Sequence, residues 1–222
     1  IYLYGEGWSM GETAGNAHGV AATQIFMAGT GVGTFNDRIR DAVRGGGPFD
    51  NGVELRANQG FSNGLFLDPN ELSDAGTAAR EKLLDTTDWI RIGMSGNLAE
   101  FKLQTNGGSI VQGSTVGYNG ARAGYTQDPQ EAINYVSAHD NQTLWDILAY
   151  KFPTGTSSAT RVRAYDVALD TVLLGQGIPF FHMGDDLLRS KSMEKDSYDS
   201  GDWFNQVDWS GQGNGWKVGL PN

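Results

Sequence analysis

Short apolar runs alternate with amphipathic segments along the chain. Three runs predict buried strands, because each is continuously apolar rather than alternating: residues 1–6, residues 132–140 (AINYVSAHD) and residues 177–184 (GIPFFHMG). Apolar positions three and four apart predict helices that begin near Asn36 and cover residues 77–95, 143–151 and 159–175. Buried strands that alternate with helices are typical of an α/β protein with a parallel sheet.

Glycine and polar clusters divide this pattern. The GGG run at 45–47 predicts the end of the helix that begins near Asn36, and the segments FKLQ and SIVQ predict a hairpin that turns at 106–108. Residues 9–34 are predicted to form a loop with a short apolar strand at 24–28, and residues 48–75 are predicted to form a long irregular loop. Asp140 or Asn141 is the predicted cap of the helix that follows.

The composition is that of a globular domain. The chain has 222 residues, of which 39% are hydrophobic, and its 32 glycines indicate many shaped loops. The net charge of −10 argues against nucleic acid as a partner and favours a neutral or cationic ligand, although it also serves solubility. The chain has no cysteine, and neither a membrane span nor a targeting signal is visible.

Polar residues follow each predicted strand. They are Glu6, the run His139–Asp140–Asn141, and His182 with Asp185 and Asp186. The carboxyl ends of parallel strands carry the active sites of (β/α)8 barrels and of open doubly wound sheets, and the pattern does not separate the two. Glu6 stands between two glycines near Trp8, where apolar surroundings suit a general acid; a salt bridge at a strand end is the alternative.

Other chemistries fit less well. The three histidines lack the spacing of a His-rich zinc site, and the chain has neither a G-x-S-x-G elbow nor a Walker-type loop. The segment GTGVGTFND lacks the G-x-G-x-x-G spacing of a dinucleotide site. Residues 184–203 combine carboxylates, hydroxyls and Trp203, which suits either a sugar-binding cleft or a solvated acidic loop.

Five segments together resemble the debranching enzymes of the α-amylase superfamily (glycoside hydrolase family 13), namely pullulanases and plant-type limit dextrinases. The segments are YLYGEGW, GTGVGTFNDRIRDAVRGG, YVSAHDNQTLWD, GIPFFHMGDDLLRSKS and DSYDSGDWFN. The resemblance implies a retaining α-1,6-glucosidase that acts on pullulan, amylopectin branches or limit dextrins. It also implies that residues 1–222 form part of a catalytic domain, the second half (about strands five to eight) of a (β/α)8 TIM barrel with long βα loops. Strand six is expected around residues 89–101.

The resemblance assigns roles to eight residues. It implies that Glu6 is the general acid/base and that Asp140 stabilises the transition state. Substrate contacts are expected from His139 at the cleavage subsite, Trp8 as an aromatic wall, Asn141, Tyr118 in the acceptor region, and Lys195 with Asp196 at the next glucose. A lysine at 195 stands where relatives commonly have arginine.

The resemblance also implies a nucleophilic aspartate in a segment like FRFD, which the 222 residues do not contain. We expect that segment upstream of Ile1, together with an arginine and a histidine of the family's site. The chain is therefore expected to be stable only when paired with the missing N-terminal half of the barrel.

Two other readings stay open. One is a non-catalytic module that binds an α-glucan oligosaccharide or polysaccharide, and the other is a sister activity such as isoamylase or branching enzyme; DSYDSGDWFN favours the pullulanase branch. No cofactor is required and no metal ligand set is identified, while the resemblance allows a structural calcium ion. A plastid, a secreted bacterial enzyme and a cytosolic enzyme all fit the sequence.

Overall fold

Four short parallel strands form the main sheet of the protein, whose computed structural model describes residues 1–219. The helices and strands, in chain order, are β1 (Tyr4–Gly5), α1 (Gln24–Met27), β2 (Gly33–Asn36), α2 (Asp37–Arg44), α3 (Gly52–Ala57), α4 (Thr77–Met94), β3 (Lys102–Gln104), β4 (Ile110–Gln112), β5 (Gly117–Tyr118), β6 (Ala121–Arg122), β7 (Ala132–Asn134), α5 (Leu144–Lys151), α6 (Ser158–Leu173), β8 (Ile178–Pro179) and α7 (Asp202–Asn205).

The main sheet has the strand order β1-β2-β7-β8, and every neighbouring pair is parallel. Its strands therefore follow one another across the sheet in the order in which they occur in the chain. Two antiparallel hairpins, β3-β4 and β5-β6, stand apart from it. The predicted α/β class with a parallel sheet is confirmed, as is the hairpin between FKLQ and SIVQ.

The chain divides into two compact units. The first consists of Ile1–Ala42, Leu84–Tyr135 and Asp170–Phe180, and it contains the main sheet and both hairpins. The second consists of Val43–Leu83, Val136–Leu169 and Phe181–Asn222, and it contains α3, α5 and α7. Helices α2, α4 and α6 each contribute residues to both units.

Aromatic side chains pack across the sheet of the first unit. The ring centroids of Phe35 and Tyr135 lie 4.7 Å apart, and those of Phe35 and Phe180 lie 5.2 Å apart. The rings of Tyr2 and Tyr4 extend this stack along β1. Neighbouring aromatic rings at such distances stabilise a sheet beyond the area that they bury.

A second cluster of the first unit lies around the hairpins. Ile92 of α4 packs with Leu103, Tyr118 and Ala123, and all four side chains are buried. In the second unit, Trp145 of α5 packs beside Tyr165 of α6 with ring centroids 6.4 Å apart.

The predicted helices are confirmed. Helix α2 ends at Arg44, before Gly45 and Gly46 adopt positive φ angles of 82° and 68°. Helices α4 and α6 begin and end within a few residues of their predicted bounds. Within residues 1–219, no helix has the length and apolar character that crossing a bilayer requires.

The predicted sheet strand around residues 89–101 is wrong, since most of that range belongs to α4 and the loop after it. The second strand of the sheet is β2, in a segment predicted as loop and helix start. Its sequence GTFN contains two strand-forming residues, Thr34 and Phe35, between a glycine and an asparagine, and all four residues are buried. Pairing with β1 on one side and β7 on the other makes this segment a strand, and local propensity does not reveal such pairing.

Two of the predicted strands are short and are not buried. Of residues 1–6 only Tyr4–Gly5 pair, and the side chains of Leu3 and Tyr4 are 62% and 55% exposed. Strand β8 is restricted to Ile178–Pro179. Within residues 1–219 both strands lie at edges of the sheet, so each is hydrogen-bonded to a neighbouring strand on one side only.

Three smaller predictions are corrected. The apolar segment at 24–28 is helix α1, and the expected loop at 48–75 includes α3. The cap of α5 is Thr143, not Asp140 or Asn141, because Thr143 Oγ1 accepts a hydrogen bond from the Asp146 amide at 3.2 Å.

Candidate active site

Glu6 follows β1 in the first unit and is half-buried. The next residue, Gly7, has a φ of 77°, and a Cβ atom there would lie 2.8 Å from Thr34 Cγ2. The Gly7 carbonyl accepts a hydrogen bond from the Gln24 amide at 3.0 Å. Because β2 and α1 both contact Gly7, the backbone beside the Glu6 carboxylate is held in place.

Trp8 lies over a buried polar network. The guanidinium of Arg40 stacks on the Trp8 ring, 5.9 Å from its centroid, and donates to Tyr135 Oη at 2.6 Å. It also pairs with Asp41 at 2.7 Å, and Tyr118 Oη donates to the other oxygen of Asp41 at 2.6 Å. A chain of contacts therefore runs from the indole of Trp8 to the phenol of Tyr118.

The Asp41 carboxylate is the centre of this network. Burial raises the pKa of Asp41, while the charge of Arg40 and the hydrogen bonds from Arg40 and Tyr118 oppose that rise. Burial also raises the pKa of the Tyr118 phenol, which therefore stays a hydrogen-bond donor. Tyr118 is a core residue with an edge contact to Trp89, and its contact with sugar stays a prediction.

In the second unit, His139, Asp140 and Asn141 form the tip of a loop between β7 and α5. The His139 and Asp140 side chains are 61% and 69% exposed, and His139 Nε2 lies 3.4 Å from an Asp140 oxygen. Asn141 has a φ of 62°, and its side-chain amide donates to the Pro48 carbonyl at 2.8 Å. The loop thus presents an imidazole and a carboxylate side by side.

The base of this loop is buried. Ser137 Oγ accepts from the Leu144 amide at 3.2 Å and lies 3.4 Å from His182 Nδ1. His182 Nε2 in turn lies 3.3 Å from Arg189 Nη1. Burial lowers the pKa of His182 to about 4, assisted by the charges of Arg189 and other nearby cations, so the imidazole is neutral at neutral pH.

Asp185, next to this histidine, is held by two donors. Its oxygens accept from Tyr165 Oη at 3.0 Å and from the His182 amide at 2.9 Å. Burial nevertheless raises the pKa of Asp185 to about 6, because the desolvation outweighs both hydrogen bonds.

Lys195 and Asp196 lie on the exposed surface of the second unit, with Lys195 Nζ 3.9 Å from an Asp196 oxygen. Both backbone amides donate to the Glu194 carboxylate at 2.9 Å. The same unit has a cavity of about 490 Å³, whose aromatic walls are Trp203, Phe204 and Trp209. Residues 184–203 therefore form part of a shaped cavity as well as an exposed acidic surface.

Sequence reasoning missed the polar residues that support the predicted site. The sequence alone predicts no role for Arg40, Asp41 and Arg44, although they are buried or nearly so. Their signal in the sequence is the density of charge in DRIRDAVR, where Ile39 and Val43 are the large apolar side chains.

No family model matches the chain. A pullulanase of Klebsiella aerogenes is 52% identical to it over 221 residues, which is 100% of this chain and 20% of the relative. Pullulanase 1, chloroplastic, of Arabidopsis thaliana is 49% identical over 223 residues, which is 100% of this chain and 23% of that relative. The chain is homologous to pullulanases. It spans about a fifth of the length of these curated relatives.

Solved pullulanase structures share the fold of the chain. A crystal structure of Klebsiella pneumoniae pullulanase complexed with maltotriose matches with a TM-score of 0.92 and 52% identity, over 100% of this chain and 20% of that one. An apo pullulanase from Paenibacillus barengoltzii matches with a TM-score of 0.65 and 26% identity, over 95% and 26% of the two chains. The mixed α/β fold is therefore that of a pullulanase segment.

Proposed function

We propose that the chain belongs to the catalytic domain of a debranching hydrolase that cleaves α-1,6-glucosidic linkages in pullulan, amylopectin or limit dextrins. The observation that carries this proposal is the 52% identity to a pullulanase over the full length of the chain. It is supported by the positions of Glu6 and of the His139–Asn141 run, which follow two parallel strands of one sheet.

In this mechanism Glu6 is the general acid/base. It protonates the glycosidic oxygen as that bond breaks, while a carboxylate nucleophile bonds to the anomeric carbon. Water then attacks the glycosyl ester, and the Glu6 carboxylate takes its proton, so the anomeric configuration is retained. The nucleophile is an aspartate of the complete enzyme that lies outside these 222 residues.

The other predicted residues bind the glucan. Asp140 stabilises the positive charge that develops on the sugar ring, and His139 hydrogen-bonds the same sugar. Trp8 supplies a stacking face beyond the scissile bond, and Asn141 is a polar contact on that side. Lys195 and Asp196 contact the next glucose through exposed polar groups.

We further propose that the main sheet is the second half of a (β/α)8 barrel. Four parallel strands that follow one another in chain order, with helices between them, support this proposal. In a closed barrel β1 and β8 would each pair with a further strand, supplied by the N-terminal half.

The decisive experiment is Glu6→Gln in the complete enzyme. The amide cannot donate an acidic proton, so kcat on pullulan should fall by about 10²–10⁴-fold. Glu12→Gln, at an exposed glutamate of the same unit, is the matched control and should leave kcat unchanged. Pullulan hydrolysis by E6Q within about tenfold of wild type would refute the assignment.

A second candidate function is glucan binding without catalysis, and the absence of an FRFD-like segment from the 222 residues favours it. Calorimetric titration of the complete protein with maltooligosaccharides, beside a pullulan assay, separates the two. Binding without turnover supports a binding module, whereas turnover with retained configuration, followed by NMR of the product anomers, supports the hydrolase.

A further inference from the structure

The loop that carries His139 and Asp140 is closed at its base by one buried arginine. Arg44, the last residue of α2, donates from Nη1 to the Val136 carbonyl at 2.8 Å and from Nη2 to the Gln142 carbonyl at 2.7 Å. These two carbonyls lie on either side of the exposed tip. The rigid fork of the guanidinium therefore fixes the separation of the two ends of the loop.

The chain beyond Arg44 contacts the same loop. Four residues after Arg44, the chain reaches Pro48, whose carbonyl accepts from the side-chain amide of Asn141 at 2.8 Å. Segment 44–48 thus contacts Val136, Asn141 and Gln142, and it leaves His139 and Asp140 exposed.

Arg44 itself is firmly anchored. It is 7% exposed, and Gly45 packs so closely on another turn that a Cβ atom there would lie 2.3 Å from the Asn58 carbonyl oxygen. Lys151 Nζ, on the last residue of α5, donates to the carbonyls of Gly45 and Asn58 at 2.6 and 2.7 Å. The backbone beside Arg44 therefore cannot shift without breaking the contacts of Gly45 with Asn58 and with Lys151.

A buried guanidinium is retained only where hydrogen bonds and opposite charge offset its desolvation. The two carbonyls supply hydrogen bonds, and the charge of Arg44 opposes the rise in the Asp185 pKa that burial causes, so a carboxyl group lies within electrostatic range of the guanidinium. Lysine would keep the charge but not the planar fork, so it could not hold both carbonyls in the same geometry.

We propose that Arg44 is a positioning residue, which holds the loop 136–142 so that Asp140 and His139 meet the sugar at the point of cleavage. This inference rests on the proposed function for its catalytic consequence, but the clamp itself is a property of the fold. A carboxylate that stabilises only the transition state must be placed accurately, and a shift of about 1 Å can cost about 10²-fold in rate.

The test is Arg44→Lys in the complete enzyme, with Arg163→Lys as the control, because Arg163 is an exposed arginine of the same unit. For R44K we expect kcat on pullulan to fall by about 10²-fold, with KM within about threefold of wild type, because the interaction that is lost acts in the transition state. R163K should match wild type in both constants.

Hydrogen exchange supplies a readout that does not depend on activity. The Leu144 amide bonds to Ser137 Oγ across the base of the loop, so a peptide covering 136–144 should exchange faster in R44K. Peptides from α6 should exchange as in wild type, which separates a local clamp from a general loss of structure.

Three results would overturn the inference: wild-type exchange at 136–144, a kcat within about threefold of wild type, or faster exchange throughout the second unit. If wild-type enzyme fails to hydrolyse pullulan, the proposed function is wrong, and the exchange at 136–144 still decides whether Arg44 holds the loop.

Discussion

The pKa values of His182 and Asp185 are shifted in opposite directions, and the backbone amide of His182 donates to the Asp185 carboxylate. The pKa of His182 is lowered from 6.5 to about 4, so folding favours its neutral form and the stability that this adds is lost as pH falls from 6.5 toward 4. The pKa of Asp185 is raised from 3.8 to about 6, so its contribution is present at low pH and is lost as pH rises from 4 toward 6. The two effects oppose each other over the same range.

We therefore expect the pH dependence of stability to change when either residue is made non-titrating. In Asp185→Asn the histidine acts unopposed, so the free energy of unfolding should rise more steeply than in wild type between about pH 4 and 6. His182→Gln should give the reverse slope. Urea unfolding at several pH values measures both, and parallel curves for the two variants would contradict the pairing.

The residues of the candidate site illustrate what a sequence can reveal. Glu6 and the run at 139–141 are recognisable because polar residues follow apolar strands, and the structure has them at those positions. Arg44 is not recognisable, since its partners are backbone carbonyls about 92 and 98 residues away and carry no side-chain signal. Tyr118 is buried and its phenol donates to the Asp41 carboxylate, a pairing that the sequence did not reveal, while its contact on the acceptor side stays a prediction.

At the scale of elements, the long helices were predictable because each has several turns of amphipathic pattern. Strand β2 was not, because its four residues form a strand only between two neighbours of the sheet. The cap of α5 was placed two or three residues early, because Asp140, Asn141 and Thr143 are all good caps by residue type. Only the geometry shows that Thr143 is the one that caps.

Thr143→Ala should destabilise α5. The hydroxyl accepts from the Asp146 amide and is buried, so its loss leaves an unpaired donor and should cost about 1 kcal/mol in the free energy of unfolding. Urea denaturation measures the change. Thr143→Ser keeps the acceptor and is the control; if it loses as much stability as the alanine variant, packing rather than capping explains the effect.

At the scale of the whole molecule, the main sheet has two edges within residues 1–219. In this range strand β1 pairs with β2 on one side only, and the side chains of Ile1, Leu3 and Tyr4 are exposed. An apolar edge strand is a template for pairing with another chain. The sequence pattern predicted a buried strand here, and a pairing partner in the complete protein would account for that pattern.

The isolated 222-residue chain should therefore self-associate through β1, and Leu3→Lys should reduce that association because a charge on an edge strand opposes pairing. Light scattering coupled to size-exclusion chromatography measures it. Leu67→Lys is the control, since Leu67 is 77% exposed but lies outside the sheet. Equal effects of the two substitutions would show that net charge, not the β1 edge, controls association.

Positions 45 and 60 should tolerate no amino acid other than glycine. A Cβ atom at Gly45 would lie 2.3 Å from the amide nitrogen of Gly60, and one at Gly60 would lie 2.3 Å from that of Gly45. In a saturation library of the complete enzyme, selection for function should therefore leave a single residue type at each of these sites. Gly45→Ala and Gly60→Ala would disturb the same backbone contact. The double variant should therefore lose less stability than the sum of the losses of the two single variants. We therefore expect the two glycines to act as one unit in stability, although 14 residues separate them in the chain.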